Sequence, residues 1–109
     1  AIIGIPQLAE HYVSNNKIHY YNQGPYVYSL AKSSSDPILQ KRYGDFLIKT
    51  MQVAGRVAPR SKAAIYFFAG KIRSLHCDNK EAESLFNKSK HEHEGEFQFL
   101  KCYFEYDKP

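Results

Sequence analysis

The sequence predicts an all-α fold of five to six antiparallel helices, and three observations support this class. Apolar residues recur at spacings of three and four along six successive segments, which is the period of an amphipathic helix. Short stretches rich in Gly, Pro, Ser, Asn and Asp separate most of these segments. No segment shows the sustained alternation and hairpin turns that indicate paired strands. The 109 residues are enough for one domain, residues 1–109, with its own apolar core.

The first two segments precede the clearest boundary in the chain, residues 33–37 with the sequence SSSDP. Pro6 begins a helix that we expect to end at Asn15 or Asn16. A second helical segment covers residues 17–32. Gly24–Pro25 interrupts it, either by kinking the helix or by separating a short lead-in from the rest.

The third helix has clear signals at both of its ends. The carboxylate of Asp36 can cap the helix, and Pro37 suits the first helical position because its missing N–H is not needed there. Gly55 follows Ala54 at the position where glycine usually ends a helix. We therefore predict a helix from Pro37 to Ala54 with one broad apolar face, formed by Ile38, Leu39, Tyr43, Phe46, Leu47, Thr50, Met51 and Ala54.

Three further helices complete the prediction, over residues 60–75, 80–91 and 96–106. A short polar turn joins the first two, and Asp78 or Asn79 is expected to cap the helix that follows it. The last helix turns an apolar face toward the core, formed by Phe97, Leu100 and Phe104.

Within residues 63–89 the small and aromatic residues stand at fixed spacings, at Tyr66, Ala69, Gly70, Ala82, Phe86 and Ser89. This pattern resembles the tetratricopeptide repeat, a helix–turn–helix unit of about 34 residues. Gly70 and Ala82 would let the paired helices touch, while Tyr66 and Phe86 fill the space beside them. Arg73 stands where an aromatic residue is usual, and no Pro closes the unit. We therefore expect either a right-handed helical-repeat array or a small helical bundle.

The resemblance implies a protein- or peptide-binding function without catalysis. In such repeats the first helix of each hairpin lines a concave surface, and the residues on that side here are Phe67, Lys71 and Ser74. Family members that clamp a C-terminal carboxylate use a set of Lys and Asn residues that this sequence lacks. The resemblance also covers regulatory domains of transcription factors, and the sequence does not select between these options.

The charge distribution points to an anionic partner. The net charge is +4. Residues 41–73 hold eight basic residues against Asp45 alone, whereas acidic residues outnumber basic ones from Asp78 onward. Four cations of this basic belt join the predicted binding residues: Arg56, Arg60, Lys62 and Arg73. We expect an acidic protein partner, and nucleic-acid binding that weakens with salt is the alternative.

No pattern in the sequence supports a catalytic residue, a metal or a cofactor. His91 and His93 are two residues apart, so on a helix they point in different directions and cannot readily chelate one ion. His76 adjoins Cys77, but a catalytic base must approach its thiol in space and be oriented by a third group. Residues 68–72, FAGKI, lack the other residues of a phosphate-binding loop.

The remaining expectations concern cellular context. Cys77 and Cys102 permit one disulfide but do not require it, so we expect free thiols and a cytoplasmic protein. A secreted helical protein with one disulfide is the third functional alternative. No apolar run approaches the roughly 18 residues needed to cross a bilayer. The chain lacks an initiator Met and stops just after a predicted helix, so we expect a domain excised from a longer protein. A homodimer is a further open alternative.

Overall fold

The computed structural model describes residues 20–104, which form five α-helices joined by short connections. The helices are α1 (Tyr20–Ser33), α2 (Pro37–Ala54), α3 (Pro59–Leu75), α4 (Asn79–Glu92) and α5 (Glu94–Tyr103). The described residues contain no strand, so the all-α prediction is confirmed. None of these helices is both long enough and apolar enough to cross a bilayer. The predicted helix beginning at Pro6 lies outside the described residues.

The helix bounds follow the local sequence signals closely. α2 has the predicted bounds, and α3 and α4 begin one residue earlier than predicted. α5 begins two residues earlier than predicted and ends three residues earlier, at Tyr103, with Phe104 as its C-cap. α1 continues through Gly24–Pro25, so these residues do not separate a lead-in from the rest of the helix. Gly24 is needed where α1 meets α3, because a Cβ atom at this position would overlap the ring of Phe68.

Side-chain caps account for three of the helix starts. Asp36 accepts a hydrogen bond from the Ile38 N–H at 3.0 Å, and Asp78 accepts one from the Glu81 N–H at 3.4 Å. The sequence predicted both caps. Of the two alternatives for the start of α4, the cap is Asp78 and not Asn79. The third cap was not predicted: Nδ1 of His93 accepts a hydrogen bond from the Glu96 N–H at 2.9 Å. His93 therefore separates α4 from α5.

α3 lies at the centre of the bundle and contacts each of the other four helices. It is apolar around most of its circumference, as expected of a helix covered on several sides. Its buried residues are Ala63, Ala64, Ile65, Phe67, Phe68, Ala69, Gly70, Lys71 and Ile72. α1, α2 and α4 therefore have α3 as their main packing surface, whereas α5 packs equally against α3 and α4.

Two neighbouring phenylalanines of α3 organise the core. The ring centroids of Phe67 and Phe68 lie 5.2 Å apart in an edge-to-face arrangement. Phe67 also packs against Phe86 of α4 at 5.6 Å and Phe97 of α5 at 6.1 Å. Phe68 packs edge-to-face against Phe104 at 4.9 Å. Such pairs add about 0.5–1.5 kcal/mol each beyond the burial of their apolar area.

α3 and α4 form the close antiparallel hairpin that the sequence predicts. A Cβ atom at Gly70 would lie 2.8 Å from Cε1 of Phe86, so this contact requires glycine. Ala82 is completely buried in the same interface. Further along, the buried Oγ of Ser89 donates a hydrogen bond to the Ala63 carbonyl at 2.7 Å. The small residues of this hairpin thus permit close backbone approach, as the predicted pattern requires.

We predict that Gly70→Ala lowers the free energy of unfolding by about 1–3 kcal/mol, the usual cost of overpacking a core. Alanine is intrinsically favoured over glycine in a helix by about 1 kcal/mol, so without a steric clash the substitution would stabilise the fold. A loss of stability therefore indicates the clash with Phe86. Phe86 is 2% exposed and packs against Phe67, which prevents its ring from moving aside.

Urea denaturation measures this change. Gly95→Ala is the matched control, because a Cβ atom at Gly95 would lie no closer than 3.4 Å to any neighbouring side chain. We expect the control to leave stability unchanged or slightly increased. A Gly70→Ala variant as stable as the native chain would contradict the prediction.

Candidate partner-binding groove

The structure places the three residues predicted for a concave surface on a side of α3 that other segments cover. Phe67 has no exposed surface. Lys71 is 8% exposed, and its Nζ donates a hydrogen bond to the Phe104 carbonyl at 2.7 Å. The same Nζ lies 5.3 Å from the ring centroid of Tyr28. Oγ of Ser74 donates to the Gly70 carbonyl at 3.2 Å.

Lys71 and Ser74 do meet in one small cleft. This cleft has a volume of about 130 Å³ and is also lined by Tyr28, Leu75 and Phe86. Tyr28 belongs to α1, so it is the packing of α1 that narrows the opening. A partner that contacted Phe67 would first have to displace neighbouring parts of this chain.

The cations of the predicted basic belt are distributed over different parts of the bundle. Arg73 lies 3.0 Å from Asp45 of α2 and 4.0 Å from Asp78. Arg60 pairs with Glu96 of α5 at 2.6 Å. Arg56 is exposed in the connection between α2 and α3, and Lys62 is half-buried on α3. Two of the four predicted belt residues, Arg60 and Arg73, thus form ion pairs with carboxylates of the same chain.

A groove lies on the other side of α3, between α2 and α4. Its volume is about 540 Å³, within the usual range of about 300–1,000 Å³ for ligand pockets. α2 and α4 both pack antiparallel to α3, so they run parallel to each other and form the two walls. The apolar lining consists of Ile48, Met51, Tyr66, Ala69 and Leu85. Met51, Ala69 and Leu85 are buried at the bottom of the groove, so the accessible apolar surface comes from the half-buried Ile48 and Tyr66.

The charges that line the groove differ between its two ends. Asp45 and Glu81 lie at the end nearest the N-termini of α2 and α4, where Arg73 of α3 also lines the groove and pairs with Asp45 at 3.0 Å. A helix rises 1.5 Å per residue, so Lys49 lies about 6 Å beyond Asp45 along α2. By the same measure, Lys88 lies about 10 Å beyond Glu81 along α4. Neither lysine makes an ion pair with any residue from 20 to 104. The groove is therefore acidic at one end and basic at the other.

A second hollow of about 740 Å³ adjoins the groove and shares Tyr66 and Lys88 with it. Apart from Tyr66, its lining comes from the polar outer face of α4. This hollow lacks the two opposed helical walls of the groove. The groove is consequently the better candidate for a site that recognises a partner.

His76 is half-buried and has a hydrogen-bonding position that the sequence did not reveal. The Gln40 amide donates to the carbonyls of Ala31 and Ser34, at 3.2 and 2.8 Å, which directs its Oε1 toward His76. His76 Nδ1 lies 3.2 Å from that oxygen, so we assign the proton to Nδ1. Nε2 is buried and has no hydrogen-bond partner among the described residues. Burial, reinforced by the positive charge of Arg73, lowers the pKa of His76 below its usual value.

The structure also locates the residues considered for other chemistry. Cys77 and Cys102 are free thiols on the surface, so the described chain has no disulfide between them. The described residues contain no group of three side chains arranged to hold a metal ion. The Arg60–Glu96 contact joins residues 36 positions apart, so no local pattern in the sequence predicts it.

No family model matches this chain, and no curated protein or solved structure matches it either. The candidate site is therefore argued from the residues of the chain itself.

We predict that acidification destabilises the fold through His76. The folded pKa is lowered, so the unfolded chain binds more protons as the pH falls below the usual histidine value of about 6.5. The free energy of unfolding should decline from that pH and level off below the lowered folded pKa. His76→Gln removes the titrating group and should make this decline smaller.

Chemical denaturation between pH 7.5 and 5 tests the prediction, with both pH limits set about one unit or more on either side of the usual histidine pKa. The exposed residue His91, changed to Gln, provides the matched control and should retain the native pH dependence. Identical pH dependence of the native chain and the His76→Gln variant would show that His76 is not responsible.

Proposed function

We propose that this chain is a protein-binding helical module without catalytic activity, and that its groove between α2 and α4 receives an amphipathic helix of a partner protein. The observation that carries this proposal is a groove whose accessible apolar surface, at Ile48 and Tyr66, is bordered by two lysines, Lys49 and Lys88, that have no acidic partner among residues 20–104. An apolar helix face with acidic flanking residues would satisfy both features. The tetratricopeptide-like hairpin of α3 and α4 supports the same class of function, because such hairpins bind protein segments.

A helical partner suits this surface better than an extended one. Extended peptides commonly bind by adding a strand to a sheet edge, which supplies main-chain hydrogen bonds. The groove is walled by α-helices, whose backbone groups already bond within each helix. A helix satisfies its own backbone and can place one apolar face on the half-buried Ile48 and Tyr66. Recognition would then depend on side-chain packing along the groove.

The groove also offers entry without rearrangement. Binding at the concave side that the sequence predicted, with Phe67, Lys71 and Ser74, would require movement of α1 and of the chain near Phe104. The groove is open in the described structure. We therefore propose the groove as the partner-binding surface in place of that side.

The contacts of the basic belt favour a protein partner over nucleic acid. Arg60 and Arg73 are held by carboxylates, and Lys71 is buried. Phosphate recognition needs several accessible cations on one surface. Of the four cations predicted for binding, Arg56 and Lys62 are left without a carboxylate partner among the described residues, and two cations are a weaker basis for phosphate recognition. Nucleic-acid binding is accordingly an alternative outcome of the experiment below.

We predict that Ala69→Leu weakens binding of an amphipathic test peptide by at least about tenfold, equivalent to about 1.4 kcal/mol. Ala69 is buried and lines the groove, so the larger side chain needs space from the groove and would fill part of the volume that the partner occupies. The peptide carries leucines on one helical face and glutamates beside them, and its affinity is measured by fluorescence anisotropy. Gln98→Leu is the matched control, because it adds the same side chain on the exposed face of α5.

Nuclear magnetic resonance of the ¹⁵N-labelled chain locates the binding surface. The peptide should shift the amide signals of Ile48, Ala69 and Leu85. Circular dichroism confirms that both leucine variants remain folded. Signals that move only near Arg56 and Lys62, on addition of a single-stranded oligonucleotide, would replace the proposal with nucleic-acid binding. Absence of peptide binding to the native chain would contradict it directly.

A further inference from the structure

We infer that the outer side of the α1–α2 hairpin binds the headgroup region of a bilayer that contains anionic lipids. Four exposed apolar residues form this hairpin surface, Tyr26, Leu30, Ile38 and Leu39. Three exposed basic residues accompany them, Lys32, Lys41 and Arg42. None of the seven lines the groove, so the inference is independent of the proposed function.

Most of the exposed large apolar side chains of the described residues belong to this hairpin. Between residues 20 and 104 there are six such side chains, and four of them lie on α1 or α2. Ile38 is 72% exposed and Tyr26 is 61% exposed. Tyr26 and Leu30 are one turn apart on α1 and therefore share a face. Ile38 and Leu39 belong to the first turn of α2.

The local structure brings the two helices together at this point. Only three residues connect α1 to α2, so the helices are antiparallel neighbours. The Gln40 amide donates to the carbonyls of Ala31 and Ser34, which holds the start of α2 beside the end of α1. Both helices pack against α3, so their exposed residues face away from the core. The apolar side chains thus project around one chain reversal at an end of the bundle.

The basic residues of the hairpin surface have no competing carboxylate. Lys32, Lys41 and Arg42 form no ion pair with any residue from 20 to 104. The one acidic residue between positions 26 and 43 is Asp36. Its carboxylate caps α2 by accepting a hydrogen bond from the Ile38 N–H. The surface therefore keeps a net positive charge, which complements anionic headgroups.

A bilayer suits this combination better than a protein partner. A fluid lipid surface can close around side chains that project from a chain reversal, whereas a protein must supply pockets of matching shape. Each basic residue near an anionic membrane raises the affinity about fivefold. Stable binding to a membrane surface takes two signals, and here apolar side chains and cations supply both.

Sedimentation of the full 109-residue chain with lipid vesicles tests the inference. Equimolar phosphatidylcholine and phosphatidylserine should bind the chain at least about tenfold more tightly than phosphatidylcholine alone. Lys41→Gln combined with Arg42→Gln should lower the affinity for the anionic vesicles by at least about tenfold. Lys80→Gln combined with Lys90→Gln is the matched control. It makes the same change in net charge on the exposed side of α4 and should bind nearly as well as the native chain.

A fluorescent reporter tests which surface meets the lipid. The chain contains no Trp, so Ile38→Trp introduces a single one on the hairpin surface. Its emission should shift to shorter wavelength when the anionic vesicles are added, because the indole leaves water. Phe99→Trp is the matched control, since Phe99 is 55% exposed on α5, and its emission should stay constant. Circular dichroism verifies that the variants remain folded.

Four outcomes would overturn the inference. The first is absence of binding to the anionic vesicles. The second is an equal loss of affinity in the two charge variants, which would attribute binding to net charge alone. The third is an equal emission shift at positions 38 and 99. The fourth is a dimer in solution that Ile38→Gln dissociates, because a second copy would then cover the hairpin surface.

Discussion

The structure depends on the edge-to-face contact between Phe67 and Phe68, two consecutive residues of α3. Consecutive residues on a helix point about 100° apart, because one turn contains 3.6 residues. The two rings therefore reach different neighbours: Phe67 meets α4 and α5, and Phe68 meets Tyr28 of α1 and Phe104. One dipeptide thus sets the positions of three helices around α3. The edge-to-face geometry keeps both rings in van der Waals contact while they diverge.

This arrangement determines which side of α3 is left for a partner. α1 and the end of α5 pack over the side of α3 that carries the rings of Phe67 and Phe68. Lys71 is buried on this side and donates a hydrogen bond to the Phe104 carbonyl. The opposite side carries Ala69, whose methyl group cannot reach across the space between α2 and α4. The groove is therefore a result of core packing and of one small residue. Its end-to-end charge difference follows from the parallel course of its two walls.

Local signals explain how much of the fold could be predicted from the sequence. Asp36, Pro37 and Gly55 act on their own helix ends, so the bounds of α2 could be predicted from neighbouring residues alone. The spacing of Gly70 and Phe86 likewise describes one hairpin. The burial of Phe67 could not be predicted, because it depends on how α1 and α5 pack over the hairpin. The contacts of Glu96 and His76 with distant residues also arise only after the helices have assembled, and the groove depends on three helices together.

The position of α3 has a consequence for the way the molecule unfolds. In a linear repeat array each unit contacts only its neighbours, so the ends can open while the middle remains folded. Here α3 is a shared partner of every other described helix. Detaching α1, α4 or α5 exposes the Phe67–Phe68 pair to water and weakens the packing of the remaining helices. We therefore expect the described helices to unfold as one cooperative unit.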